Sequence, residues 1–471
     1  MNPSSGARLQ RWRAAAARHS DVTKALSLFM LATVLSYLAF AHSTGLNGPT
    51  YWRWPWRALH AGELAVGFSL ALVPFALAHY LHAVRRWSPY AALVPVMLSL
   101  FVLELVAIGE QTTPFTLRRI AEVVKSSSAT SYFTDALPLA HADFDLRRWL
   151  SDFPQLLGRL HVHSMTKPPG PILYYLVLIG LFGPEAAAAI GGLLIGLLAT
   201  ASVPATCWLI QVLSNDRTRG FWGASFLALT PGLVLFLPQL DQVYPVFACM
   251  MVGLWVLGLR TGRPAYAVGS GIAFVASCMF AFNLLVLGAF LVGYSLLWWR
   301  SAPGGRTRLV FKQLAWAVTA FTGIFVLLYV ALRFDALATF TSAVRNLRRT
   351  QADIARSFPE WARPYPTTVL FDLVDFSLGA GWVGFVLAVL GVFGLSGAGR
   401  RTAFLCFGQF VVVAATGLLA VETARVWLFM LPLLMFPIDA ELADWRPLPR
   451  YLAYASAALT LWAIARNMIF H

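Results

Sequence analysis

The sequence is poor in charged residues and in cysteine. Asp, Glu, Lys and Arg make up 12% of its 471 residues, whereas soluble globular domains carry about 25%. So few charges cannot cover the surface of a water-soluble domain of this length, which excludes an ordinary soluble enzyme. The cysteines stand singly in apolar segments, and no spacing fits a zinc site or a redox pair. We expect four small buried side chains: Cys207, Cys249, Cys278 and Cys406.

Motifs for nucleotide and hydrolase chemistry are also missing. The chain has no Walker loop, no GxGxxG after a strand, no HExxH and no GxSxG. It also has no hydrophilic domain that could hold a nucleotide sugar. The sequence therefore gives no support to chemistry at a cytoplasmic nucleotide.

Apolar residues are abundant: 58% of the chain is hydrophobic, and the mean hydropathy is +0.67. A spanning helix needs about 20 mostly apolar residues, and such runs recur along almost the whole chain. We predict an all-α, polytopic transmembrane helical bundle of about 12 to 14 spans, formed as one domain over 1–471. The runs are 24–42, 62–82, 90–108, 168–183, 186–213, 220–240, 243–260, 266–299, 309–332, 369–396, 402–420, 424–440 and 450–467.

The formal net charge of +15 indicates orientation in a membrane rather than nucleic-acid binding, because Lys and Arg collect in cytoplasmic loops. Basic residues precede the first apolar run, so we predict that residues 1–23 form a cytoplasmic tail of a multi-pass plasma-membrane protein. Ala39-Phe40-Ala41 loosely resembles a signal-peptidase site. Because many spans follow, we favour an uncleaved signal anchor.

Two hydrophilic segments stand out by their length, 109–167 and 334–367. Apolar residues recur at helical spacing in the first, which predicts short amphipathic helices along the membrane surface. Three spans precede it, so we expect it, and the second segment, on the extracytoplasmic side. Two spans between 168 and 213 would place Arg217 outside, against the positive-inside rule. A re-entrant or broken helix would resolve this conflict.

The first long segment contains two candidate catalytic carboxylates. Glu110 follows the third predicted span directly, and Asp135 follows the aromatic pair Tyr132-Phe133. A carboxylate at the membrane surface can accept a proton from a hydroxyl nucleophile or bind a metal. The alternative is an ordinary solvated carboxylate.

The stretch HVHSMTKPPGPILYY begins at His161 and includes His163 and Lys167 before Pro-Pro-Gly-Pro. Proline suits the first turn of a helix, and Gly170 allows close approach to the backbone. A helix N-terminus beside cations is suited to binding a phosphate. The alternative is a snorkelling lysine before a proline cap.

Two further segments hold isolated charges. Glu422 and Arg425 share one helix face at the end of an apolar span, where Arg425 could clamp a phosphate or simply pair with Glu422. Asp241, in LFLPQLDQVYPVF, either forms a turn between spans or lines a cavity.

Together these residues resemble the GT-C superfamily of integral membrane glycosyltransferases, which includes protein O-mannosyltransferases and the aminoarabinose transferase of lipid A. The resemblance is carried by the acidic start Glu110, by the HSMTKPPGP motif, by Pro238 with Asp241, and by Glu422, Arg425 and Pro432. It covers about 90–440. The chain departs from the family in two extra spans before the long loop, and in Glu110 where the family has Asp.

The resemblance implies a polyprenyl-phosphate-linked sugar as donor and a lipid, glycan or protein acceptor, joined outside the cytoplasm with inversion. It implies Glu110 or Asp135 as the catalytic carboxylate, with His163, Lys167 and Arg425 at the donor phosphate. Tyr132, His161, Asp241 and Glu422 are further cavity candidates, and a divalent metal is an open alternative, with no ligands assigned. The rival interpretations are a transporter or flippase for an anionic lipid-linked sugar and a non-catalytic envelope-assembly subunit.

Overall fold

The computed structural model describes residues 20–36, 61–112, 115–140, 143–301, 306–357, 364–417, 419 and 422–467. Throughout this part of the chain the regular structure is helical. Most of the predicted basic tail, and the tripeptide at 39–41, lie outside the described residues.

Four helices precede the first long hydrophilic segment. Ser88 caps α3, because its Oγ accepts the N–H of Ala91 at 3.3 Å, and proline at the first helical position pre-sets the backbone. The helices are α1 (20–36), α2 (Ala61–His79, continued by a π-helical turn Tyr80–Val84), α3 (Pro89–Ala92) and α4 (Val94–Gly109).

The segment that follows folds into α5 (Arg118–Lys125), α6 (Tyr132–Ala140) and α7 (Leu146–Leu156). Ile120, Val123 and Val124 form the buried face of α5, as the helical spacing predicts. Both α5 and α6 pack against the next helix, α8. The segment is therefore a folded layer attached to the bundle.

Helix α8 (Gly170–Thr200) is broken at Gly183, whose φ of 73° and ψ of 162° are non-helical and suit only glycine. The two halves fold back on each other, since Tyr174 Oη donates to the Gly191 carbonyl at 2.8 Å. The predicted boundary between the apolar runs 168–183 and 186–213 is confirmed. Beyond the hairpin this helix and α9 continue together as far as Ser214.

The remaining helices form the rest of the bundle. They are α9 (Ser202–Ser214), α10 (Phe221–Leu227), α11 (Pro231–Leu235), α12 (Tyr244–Thr261), α13 (Pro264–Phe280), α14 (Leu287–Arg300), α15 (Arg306–Leu332), α16 (Ala336–Ser357), α17 (Thr367–Ala380), α18 (Trp382–Gly394), α19 (Gly397–Thr416), α20 (Thr423–Val426), α21 (Leu431–Ala443) and α22 (Pro447–Asn467).

Six helical segments of the described chain are long and apolar enough to cross a membrane, or seven if α17 and α18, bent by 102°, count as one. The prediction of about 12 to 14 spans is larger, because breaks divide several predicted runs into helices too short to count, such as the 13 residues of α21. The six are Ala65–Val84, Pro89–Gly109, Gly170–Ser214, Leu240–Thr261, Phe282–Arg300 and Arg306–Leu332. These helices fit a multi-pass protein in a lipid bilayer.

One end of the bundle, here called the basic end, is defined by arginines near helix termini. These arginines bind carboxylates or backbone carbonyls of other helices. Arg446 Nη2 pairs with Asp21 Oδ1 at 2.9 Å, and Arg219 Nη2 lies 4.0 Å from Asp444 Oδ1. Arg260 donates to the Leu213 carbonyl at 3.0 Å. Helices α1, α9, α12 and α21 therefore each have a terminus at the same end.

Candidate functional site

Lys167 is held between a short 3-10 helix, Ser164–Thr166, and the start of α8. Its backbone is extended, with φ −118° and ψ 158°, as expected for a residue before proline. Its side chain is 17% exposed, and its Nζ lies 5.7 Å from the Tyr244 ring centroid. Burial lowers the pKa of Lys167, an effect that the Asp241 carboxylate opposes.

Gly170 fixes this helix start against α13. A Cβ built on Gly170 would lie 2.2 Å from the Met279 carbonyl oxygen, which is far inside contact distance. The sequence predicted that Gly170 allows another group to approach its backbone closely. In the structure that group is the backbone carbonyl of Met279. This close contact locks the segment that carries Lys167 in place.

Asp241 lies between two cations. It belongs to a 3-10 helix, Leu240–Val243, that leads into α12, and its side chain is 6% exposed. Its Oδ1 lies 3.9 Å from Lys167 Nζ, and its Oδ2 lies 4.0 Å from Arg425 Nε. These distances allow attraction but exceed direct hydrogen bonding, so space remains between the charges. Asp241 thus lies in the connection between α11 and α12, and it is not among the residues that line the nearby cavity.

Arg425, which is remote from Lys167 and Asp241 in the sequence, completes the cluster. Its side chain is 12% exposed, and it forms an ion pair with Glu422, whose side chain is 38% exposed. Glu422 has a φ of 52°, a left-handed conformation that is uncommon outside glycine and asparagine. The structure thus contains the Glu422–Arg425 pair that the sequence left as an alternative, together with a second carboxylate near Arg425. We call Lys167, Asp241, Glu422 and Arg425 the charge cluster.

His163 lies beside the charge cluster, anchored to the segment between α5 and α6. Its ring Nε2 lies 2.8 Å from the Ser128 carbonyl oxygen, and its backbone N–H donates to Ser131 Oγ at 3.3 Å. Nε2 must carry the proton to donate to that carbonyl. Burial, followed by the nearby Arg425 cation, lowers the pKa of His163 from its ordinary value. The ring is therefore neutral near pH 7.

A cavity of about 70 Å³ is lined by His163, Glu422 and Arg425, but not by Lys167 or Asp241. Its polar lining is Gln111, Ser128, His163, Gln239, Glu422 and Arg425. This volume holds a few water molecules, whereas pockets for whole small ligands measure about 300–1,000 Å³. In this conformation the cavity accepts a small group, such as a phosphate, but not a complete sugar.

Tyr132 is buried against the charge cluster. Burial raises the pKa of Tyr132, and the Asp241 carboxylate raises it further. The phenol is therefore neutral over the physiological range. Tyr132 is not among the residues that line the cavity, so its predicted role there stays a prediction.

The two predicted catalytic carboxylates, Glu110 and Asp135, lie outside the lining of the cavity. Glu110 is the C-terminal residue that follows α4, next to the cavity-lining Gln111. Asp135 lies one helical turn from Tyr132 and binds His161: Asp135 Oδ1 is 2.7 Å from His161 Nδ1, and Oδ2 accepts the His161 N–H at 3.3 Å. Neither carboxylate is among the lining residues of the cavity, so the catalytic assignment stays a prediction.

Two polar residues that the sequence left ambiguous, Glu104 and Gln242, lie close together in the bundle. Gln242 Nε2 donates to the Leu233 carbonyl at 2.5 Å and lies 3.4 Å from Glu104 Oε1. Both side chains are fully buried. The burial of Glu104 fits the rule that a carboxylate inside an apolar run normally faces a protein interior.

No set of three or more His, Cys, Asp and Glu side chains in the described chain is arranged to hold a metal ion. The described cysteines are all buried and unpaired with one another, as expected. A scan of protein-family models and a search of curated proteins each give no match to this sequence.

Proposed function

We propose that the protein is a membrane glycosyltransferase of the GT-C type, which moves a sugar from a polyprenyl-phosphate donor to an acceptor outside the cytoplasm. The observation that carries this proposal is the charge cluster: Lys167, Asp241 and Arg425 are far apart in sequence but meet in the folded chain, and Arg425 lines a small cavity. A lipid donor keeps its tail in the bilayer and its phosphate at the surface. The cluster lies where a bundle of apolar helices meets the folded layer of α5 and α6.

In this proposal the acceptor hydroxyl attacks the anomeric carbon as the bond from that carbon to the phosphate oxygen breaks. The electron pair leaves with the phosphate, and the anomeric centre is inverted. The hydroxyl proton passes to a carboxylate, for which Glu110 and Asp135 remain the candidates. The new phosphate charge is stabilised by Lys167 and Arg425, because fixed cations in a dry site act strongly on developing charge.

The formal charges of the cluster cancel, with two cations facing two carboxylates. A phosphate can therefore bind tightly only if one carboxylate moves away. We assign this movement to Glu422, which is the more exposed of the two carboxylates. The same movement would enlarge the cavity toward the size of a sugar.

We also propose a membrane topology that removes the conflict at Arg217. The first half of α8 has 13 residues before Gly183 and spans about 20 Å, less than the apolar core of about 30 Å. Lys125 Nζ lies 2.6 Å from Glu185 Oε2, which keeps the hairpin turn beside α5. The pass toward the cytoplasm is then 184–214, and it brings Arg217 inside.

This assignment gives about 13 passes, with the basic end cytoplasmic and the charge cluster outside. The folded layer of α5, α6 and α7 then lies outside with 336–357. The proposed passes are 20–36, 61–84, 89–109, 184–214, 221–240, 244–261, 264–280, 282–300, 306–332, 367–394, 397–416, 428–443 and 447–467.

The experiment that tests the function uses purified full-length protein in lipid nanodiscs with a panel of polyprenyl-phosphate sugars and lipid, glycan and peptide acceptors. We expect polyprenyl phosphate to be released only when a matching donor and acceptor are both present. Absence of release with every donor, together with sugar-lipid flux in proteoliposomes, would support a transporter instead.

A further inference from the structure

Helix α16 carries a row of arginines that the proposed reaction does not use. Arg345, Arg348, Arg349 and Arg356 are all exposed and border one surface concavity of about 650 Å³. Asp353 is the acidic residue in that concavity, and it pairs with Arg356. In the described chain, Arg345, Arg348 and Arg349 have no carboxylate within salt-bridge distance. We call these four arginines the arginine face.

The same helix is fixed to the segment that carries Lys167. Asn346 Nδ2 donates to the Met165 carbonyl at 3.0 Å, and Thr350 Oγ1 lies 3.6 Å from Met165 Sδ. Asn346, Ala343 and Thr339 are buried, so this side of α16 packs on the protein. Met165 is two residues from Lys167, and the arginine face is therefore rigidly connected to the proposed site.

The arginine face and the aromatic contact of α16 lie on different sides of the helix. Phe340 packs on Phe282, with ring centroids 5.2 Å apart, and this contact turns one side of the helix toward the bundle. At about 100° per residue, Arg345, Arg349 and Arg356 lie roughly 140° to 180° around the helix from Phe340. These three arginines thus lie on the side of α16 away from Phe340, and Arg348 lies about 80° from it.

We propose that the arginine face binds a soluble polyanion, namely a polymer with repeated phosphate or carboxylate groups, and so guides an anionic acceptor toward the charge cluster. Guanidinium groups bind both oxyanions through paired hydrogen bonds. The row from Arg345 to Arg356 rises about 16 Å, enough to hold several repeating charges. The acceptor role rests on the proposed function, but the binding itself does not.

A bilayer of anionic lipids is the competing partner for such a row. The opposed positions of Phe340 and the arginines argue against it, because a helix lying on a membrane directs its apolar side into the lipid. On α16 the contact of Phe340 is directed toward the bundle, although Leu337 near the start of the helix is exposed, and the arginines are left for solvent.

The test measures binding of two labelled probes, linear inorganic polyphosphate and polygalacturonate, to the full-length protein in phosphatidylcholine nanodiscs without any sugar donor. The variant R345Q/R348Q/R349Q removes three charges from the face. The matched control R147Q/R148Q/R159Q removes three exposed charges from α7 and the turn after it. We expect at least one probe to bind the wild type in a salt-sensitive way, about tenfold more weakly to the face variant, and within about twofold of wild type to the control.

Equal losses in the two triple variants would overturn the proposal, since binding would then follow net charge alone. So would a wild type that binds neither probe, or a face variant that loses only its association with phosphatidylglycerol vesicles. A wild-type protein that binds the probes but releases no polyprenyl phosphate with any donor and acceptor would count against the proposed function and leave this inference standing.

Discussion

Lys167 Nζ lies 3.9 Å from Asp241 Oδ1, so a cation at the start of α8 faces a carboxylate at the start of α12. Asp241 also faces Arg425 at 4.0 Å, and the three groups are largely buried. Buried charges are tolerated when they compensate one another. Because the three charges compensate one another, loss of any one of them would leave another buried charge without its partner.

Replacing Asp241 with asparagine should destabilise the protein, because Lys167 would lose its buried counter-charge. Removal of one partner from a buried ion pair costs about 3–5 kcal/mol. Thermal unfolding in detergent measures the effect. The double variant K167M/D241N should recover part of the loss, since neither charge then remains alone. An unchanged midpoint for D241N would contradict the described contact.

Gly170→Ala should destabilise the start of α8, because its Cβ would meet the Met279 carbonyl at 2.2 Å. Overpacking of this kind costs about 1–3 kcal/mol. Gly180→Ala is the matched control on the same helix, where a Cβ meets nothing within 4 Å. That control should hold or gain stability, since alanine favours helix. Equal unfolding midpoints for the two variants would refute the close approach.

His163 should make stability depend on pH. Its pKa in the folded protein lies below the ordinary value of 6.5, so as the pH falls the unfolded chain takes up this proton first. The contribution is complete above about pH 6.5 and is lost on acidification, toward the lower folded pKa. Midpoints between pH 8 and 5 should fall less steeply for His163→Gln than for wild type. Parallel profiles would show that the folded pKa is not lowered.

Cysteine accessibility should separate the two sides of the proposed topology. The described native cysteines are buried, so they give little background with a membrane-impermeant maleimide. Glu185→Cys should be labelled from outside intact cells, whereas Arg217→Cys should react only after the cells are opened. The opposite pattern, with Arg217→Cys labelled from outside and Glu185→Cys protected until the cells are opened, would restore a full span at 168–183.

Parts of this arrangement follow from the sequence and parts do not. The Lys-Pro-Pro-Gly helix start was predictable, because proline and glycine restrict the backbone locally. The partner of Gly170 was not, because Met279 reaches it only through packing of α13. The short half of α8 resembles a span in hydropathy, and its return at Gly183 depends on a tertiary contact between Tyr174 and Gly191. The meeting of Lys167, Asp241 and Arg425 likewise depends on helix packing.

The most direct test of the central claim is the affinity of the purified protein for polyprenyl phosphate, measured in nanodiscs for wild type, Arg425→Lys and Glu422→Gln. Arg425→Lys keeps the charge but loses paired hydrogen bonds, so binding should weaken about tenfold or more. Glu422→Gln removes the carboxylate that competes with the phosphate, so binding should tighten. Weakened binding in both variants, or unchanged binding in both, would contradict a phosphate site at the charge cluster.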